Sequence, residues 1–253
     1  LDSDWYIPLK LVERERLNHD SFRLRVQIDR ETGKTFPVPS CLYIKDDAIQ
    51  VMRPYTPINT NPYTDGYVDF IVKRYENGAV SRTLTGFNVG DYVHIRGPMV
   101  EYEYKRNSKN EIGMIAGGTG IAPMYQMIQR ILEDPEDKTR LWLIYGNKKE
   151  EDILLRKELD SLREKHKDRF QVDYLLEYPS EEWTGGRGRV TSDLVKGKLG
   201  DNHKTDGIQR LVLVCGPDAM LHNICGDRAL NNSQGPVRGM LGRLGLTSKE
   251  VWK

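Results

Sequence analysis

Cysteine is scarce in this chain: Cys41, Cys215 and Cys225 are the only three in 253 residues, and no two form a CxxC pair. That spacing excludes a disulfide framework and a thiolate zinc site, and it fits a reducing compartment. Long apolar runs are missing too. No stretch approaches the roughly 18–20 apolar residues that span a bilayer. Net charge is nearly absent, since 38 basic and 37 acidic residues leave +1. The chain therefore has no global field to gather nucleic acid or an anionic membrane. Its five histidines, His19, His94, His166, His203 and His222, lack metal-ligand spacing, so no metal is expected.

What is present divides in two. The length exceeds a usual single core, and two domains of roughly 100–150 residues are the natural expectation. Residues 7–15, 22–28, 42–44, 50–53, 67–75 and 92–96 read as short strands between dense turn signals, with Val68, Phe70 and Val72 alternating against polar neighbours. Many short strands in one segment predict an antiparallel barrel, closed or nearly so. The polar run 105–111 is the expected linker, which sets domains at 1–106 and 107–253. Beyond it, strands at 113–116, 140–145, 171–176 and 211–215 alternate with helices at 123–132, 154–167, 192–199 and 218–230. Leu155, Leu159 and Leu162 share one helical face. Such alternation predicts an α/β fold: a doubly wound, Rossmann-like parallel sheet with ligands at the carboxyl ends of its strands. Residues 236–253 read as a short helix ending at Val251, Trp252 and Lys253, with Trp252 packed on the second domain.

The most telling stretch joins an apolar strand to an amphipathic helix through Gly117, Gly118, Thr119 and Gly120. Without side chains the backbone N–H groups can approach an anion closely, and the helix dipole faces the same spot. Thr119 adds a hydroxyl. That is how a chain makes a pyrophosphate site. Upstream lie Arg53-Pro54-Tyr55-Thr56-Pro57, the run Val72–Tyr75, and Gly78-Ala79-Val80-Ser81; downstream lie residues 151–159 and Cys215-Gly216-Pro217-Asp218-Ala219-Met220. One glycine-rich turn alone is a weak signal. In this order and spacing, from about residue 8 to 229, the set resembles the NADH-cytochrome b5 reductase family of the ferredoxin-NADP reductase superfamily.

That resemblance implies an FAD-binding barrel followed by an NAD-binding domain. It also implies a reaction: hydride is taken from NADH, and single electrons pass to a haem protein such as cytochrome b5. It assigns Arg53 to the FAD pyrophosphate, Tyr55 to the flavin and ribityl chain, and Thr56 to flavin N5, with Pro54 between them. A permanently charged planar guanidinium suits that task. Ile71 and Lys73 are placed against the cofactor, and Ser81 with the amides of Ala79 and Val80 forms an anion nest under the pyrophosphate. Gly117, Gly118 and Thr119 hold the dinucleotide; Cys215, Gly216 and Pro217 line its nicotinamide side; Thr56 and Cys215 are the catalytic candidates. Met220 is expected to be core packing. Residues 148–152 read as a solvated helix start, where the resemblance matches Asp152 to an acidic residue choosing NADH over NADPH. Two positions depart from the family pattern. Ala79 replaces a lysine that assists pyridine-nucleotide binding, and Cys41 stands where the family has a histidine near the flavin.

The chain carries no CxxCH and no cluster of cysteines for iron and sulfur, so the acceptor's redox centre belongs to another molecule or to another part of a longer one. A reductase module of a larger, nitrate-reductase-like enzyme is the alternative, and a nucleotide-binding protein without turnover is a third. Family likeness further implies a monomer facing the cytosol, held to the endoplasmic reticulum or the mitochondrial outer membrane only through an N-terminal segment outside this sequence.

Overall fold

The computed structural model describes residues 1–46, 48, 50–229 and 233–253. Two compact units emerge. One comprises Leu1–Tyr104 with Tyr125–Arg130, the other Lys105–Met124 with Ile131–Lys253. Among the described residues no helix is long and apolar enough to cross a membrane.

The first unit contains β1 (Ile7–Arg16), β2 (Ser21–Gln27), β3 (Ser40–Asp46), β4 (Val51–Tyr55), α1 (Pro62–Asp65), β5 (Tyr67–Lys73), α2 (Ala79–Gly86) and β6 (Tyr92–Val100). Its strands form one antiparallel sheet in the order β4-β3-β6-β1-β2-β5. Alternation drives this: Leu24 and Val26, Val68, Phe70 and Val72, and Val93 and Ile95 turn inward to one core with Leu11, Leu42 and Ile44. Sheet order leaves β4 and β5 as the two edges, each paired on one side only. Helix α2 packs on both of them and on β3, and Thr83 Oγ1 donates to Asp46 Oδ2 at 2.5 Å to fasten it. The expected barrel is thus a six-stranded sheet whose two free edges meet one helix.

The second unit runs through β7 (Glu111–Gly117), both ends of α3 (Ile121–Glu133), β8 (Arg140–Asn147), α4 (Arg156–Lys165), β9 (Phe170–Leu176), β10 (Gly186–Arg187), α5 (Ser192–Leu199), β11 (Arg210–Cys215), α6 (Asp218–Cys225), α7 (Gly239–Arg243) and β12 (Val251–Trp252). All six strands are parallel, in the order β10-β9-β8-β7-β11-β12. The apolar runs of β7, β8 and β11 are buried on both faces, as parallel strands require.

Three expectations change here. The predicted helix at 218–230 ends at Cys225, where Gly226 takes φ +79°, and its last residue, Leu230, lies outside the described residues. Residues 236–253 are helical only over α7, while Val251 and Trp252 add a parallel strand opposite Val212 and Leu213. Glu111, placed in the linker by its charge, opens β7, and its carboxylate binds Arg210 at 3.0 Å and Arg140 at 3.4 Å.

Candidate functional site

The candidate flavin residues of the first unit gather on its two free edges. Arg53, Pro54 and Tyr55 close β4 opposite Ile44, Tyr43 and Leu42. Proline is tolerated there because an edge strand has no second ladder to supply. Arg53 is exposed, and among the described residues its guanidinium makes one hydrogen bond, from Nη1 to the Met52 carbonyl at 2.8 Å. Its other donors remain available for an anion, so the position fits a pyrophosphate group. Tyr55 is half-buried, with its ring edge-on to Phe70 of β5 at 6.4 Å. Burial pushes the Tyr55 phenol up to about 12, against a smaller downward pull from Arg53, so it stays neutral and can donate a proton to a hydrogen bond. Thr56 follows directly after the strand ends, which removes the alternation that would turn it away from Tyr55.

On the opposite edge Ile71 is only 5% exposed, and Lys73 Nζ binds Asp20 at 2.7 Å. Burial works to raise the Asp20 pKa, but hydrogen bonds from Lys73 and Ser21 outweigh it and hold the carboxyl low. What Ile71 offers a ligand is therefore the outward backbone of an edge strand rather than its side chain. Ser81 is buried; its Oγ donates to Gly78 O at 3.1 Å and accepts from Tyr75 N at 3.2 Å. That hydroxyl shapes the turn entering α2, whose first residues are Ala79 and Val80. Gly78 is obligatory beside it, since a Cβ would stand 2.5 Å from Ser81 Oγ. Cys41 is buried on β3 opposite Met99, at a register shift in the pairing with β6.

In the second unit the candidate nucleotide residues are mostly backbone. Neighbouring strands β7 and β11 bring Gly117 and Cys215 to the same carboxyl end of the sheet. A Cβ on Gly120 would collide with the Cys215 carbonyl and stand 2.8 Å from Gly216 N. One on Gly117 would meet Met220 Sδ at 2.6 Å and Pro217 Cδ at 3.1 Å, and one on Gly216 would meet Met220 Sδ at 2.9 Å. The two glycine motifs thus interlock. Met220 is the packing residue expected of it, seated over both and against the core of the unit. Gly118 differs: its φ is +53° and nothing lies within 4 Å of the Cβ position, an open cradle that a close-approaching ligand can fill. Residues Gly118–Gly120 form a single 3-10 turn leading into α3, with Thr119 half-buried within it.

Sequence reasoning missed Tyr145. Fully buried on β8, it donates from its hydroxyl to Gly118 O at 2.9 Å and so fixes the back of the turn; burial drives its pKa upward. Only an inward tyrosine on the strand beside the glycine turn could have signalled it. Asp152 requires a correction. It is 8% exposed rather than solvated, and its Oδ2 accepts from Lys149 N at 3.0 Å in a capping box on the turn Glu150–Asp152. A carboxylate beside unpaired backbone N–H groups is drawn inward to satisfy them, which charge counting along the chain does not reveal.

Comparison with known proteins agrees with this division. An oxidoreductase FAD-binding domain model matches residues 8–104, and an oxidoreductase NAD-binding domain model matches residues 114–226. NADH-cytochrome b5 reductase 2 of Aspergillus niger is 42% identical over 256 residues, covering 100% of this chain and 78% of the relative. The protein of the same name from Mycosarcoma maydis is 39% identical over 261 residues, covering 100% and 73%. Among solved structures, the cytochrome b5 reductase domain of Ulva prolifera nitrate reductase superposes with a TM-score of 0.77 at 31% identity, over 87% of this chain and 90% of that one. With both domains matched in order and the identity spread over its whole length, the chain belongs to the NADH-cytochrome b5 reductase family of FAD- and NAD-binding oxidoreductases.

Proposed function

We propose that this chain oxidises NADH and delivers the two electrons, one at a time, to a haem protein, with cytochrome b5, named in its relatives, as the acceptor. The overall balance is one NADH and two ferric haems giving NAD⁺, one proton and two ferrous haems. Bound FAD supplies the conversion of a two-electron hydride into two single-electron steps. The chain's own work is binding and electrostatics. Arg53 holds the flavin's pyrophosphate, helped by the Ala79 and Val80 amides. Tyr55, neutral through the working pH range, walls the ring, and Thr56 supplies a hydroxyl near N5. Gly117, Gly118 and Thr119 present backbone and hydroxyl donors to the dinucleotide, while Cys215, Gly216 and Pro217 line its nicotinamide end. Asp152 favours NADH, because a buried carboxylate repels the extra phosphate of NADPH.

The observation that carries this reading is the interlocked glycine turn, in which one open position with positive φ lies between Gly117, packed under Met220, and Gly120, whose Cβ position is occupied by the Cys215 backbone. Anaerobic addition of NADH to the purified protein tests it: the flavin absorbance should bleach, and cytochrome b5 should then be reduced catalytically. NADH binding without bleaching would leave a nucleotide-binding protein. A second reading, a reductase module of a larger enzyme, draws support from the nitrate reductase domain. Fast bleaching with no transfer to free cytochrome b5 would favour it. We place the protein as a monomer on the cytosolic side of the endoplasmic reticulum or mitochondrial outer membrane; fractionation of cells expressing the full-length gene product checks the location.

A further inference from the structure

A cleft of about 430 Å³ opens at the far end of α6 from the glycine motifs, and arginines dominate its lining. Arg228, Arg238 and Arg243 face it with His222 from α6, against a single carboxylate, Asp227. One oxygen of that carboxylate, Oδ2, lies 2.9 Å from His222 Nδ1, and its single charge is outnumbered by the three guanidinium groups. Arg228 donates to the Lys253 carbonyl. Arg238 and Arg243 are exposed and have no ion-pair or side-chain hydrogen-bond partner among the described residues.

Cations near a helix C-terminus ordinarily serve its unpaired carbonyls. Here two of the last four carbonyls of α6 are served by backbone donors, and two loop carbonyls beside the cleft by Lys253. His222 O accepts from Gly226 N at 3.3 Å and Cys225 O from Arg238 N at 2.9 Å. The Asp227 and Pro236 carbonyls share Lys253 Nζ at 2.9 and 2.8 Å. Among the described residues neither the Arg238 nor the Arg243 guanidinium donates to a carbonyl of α6. The walls are fixed as well: a Cβ on Gly226 would stand 2.9 Å from Arg238 Cβ, and one on Gly239 would stand 2.5 Å from Asn223 O. Both glycines hold positive φ, +79° and +59°.

We propose that this cleft binds a phosphomonoester, with its dianionic phosphate between Arg238 and Arg243. Two planar guanidinium forks match phosphate oxygens in number and geometry, and two uncompensated positive charges match a dianion. The volume lies in the range of small-ligand sites and exceeds what phosphate alone fills, leaving room for an organic group. This site is separate from the glycine turn, being built from the C-terminal end of α6 and from α7.

The test is calorimetric titration of the FAD-loaded protein, with NAD⁺ at saturation to keep the dinucleotide position occupied, using phenyl phosphate as the probe. One phenyl phosphate per chain should bind, displaceable by inorganic phosphate and not by phenol. R238Q/R243Q should weaken it at least tenfold with the flavin spectrum and NADH turnover unchanged. R238K/R243K should fall between, because the charge stays while the planar fork is lost. No binding by the unmutated protein, or equal affinity in R238Q/R243Q, would overturn the proposal and leave the dinucleotide reading untouched.

Discussion

The two units equip themselves for their cofactors by opposite means. In the first, the candidate groups stand on sheet edges, with exposed Arg53 on β4 contributing a side chain and β5 its outer backbone beside α2. In the second, they are backbone groups at the carboxyl end of a parallel sheet, in a turn packed so tightly that Gly117, Gly120 and Gly216 touch Met220, Pro217 and Cys215. An exposed edge side chain can be changed with little effect on the fold, since few contacts depend on it. A backbone site has no such freedom, because the atoms that bind are also the atoms that pack. The first unit should therefore separate cofactor affinity from stability, whereas the second should lose both together at every glycine that also packs, as Gly120 does against Cys215.

Gly120→Ala should strike hardest. Its methyl would meet the Cys215 carbonyl, which the sheet cannot release, so a loss of about 3 kcal/mol is expected from overpacking against backbone. Denaturant unfolding should show that loss along with weakened NADH binding; a stable protein that merely binds NADH less well would break the comparison. Arg53→Ala should weaken FAD retention by about 1.5–3 kcal/mol, the scale of a charge-assisted hydrogen bond. Stability of the FAD-free protein should hold to within about 0.5 kcal/mol, as for an exposed position. Flavin titration and thermal melts of the apoprotein measure the two quantities, and a fall in both would erase the contrast.

Asp152→Thr should raise the NADPH-to-NADH efficiency ratio about tenfold, or roughly 1.4 kcal/mol in the discriminating step. Threonine keeps an oxygen for Lys149 N while removing the charge, so an unchanged ratio in steady-state kinetics would reduce Asp152 to a cap. The smallest effect is expected at Gly118→Ala, about 1 kcal/mol for a left-handed conformation with open space around it. Its unfolding midpoint should fall by no more than that strain, well short of Gly120→Ala, while the KM for NADH rises, sharpening the distinction between a glycine needed for packing and one needed for ligand approach. A midpoint shift as large as that of Gly120→Ala would mean that Gly118 is also a packing residue.

Local chemistry settled much of this protein. The switch from period-two alternation to strand-helix alternation near residue 105 reports burial segment by segment, and it separates an antiparallel unit from a parallel one. Gly117–Gly120 and Cys215–Pro217 could be placed at strand ends because glycine and proline punctuate a chain wherever the backbone turns sharply. Pairing between distant segments was beyond that reach. Pro54 marks β4 as a strand for an edge, but nothing in residues 67–73 says that β5 takes the other edge, since sheet order depends on partners far away in sequence. Val251 and Trp252 are too few to show a period, and they become a strand only because β11 offers them an edge. Tyr145 reaches Gly118, Asp152 folds inward onto Lys149 N, and Arg238 and Arg243 come to one cleft with their charges unspent. Sequence fixes which groups a chain carries and which segments bury a face; the tertiary structure decides which of those groups meet, because contact energies depend on neighbours that the chain order does not specify.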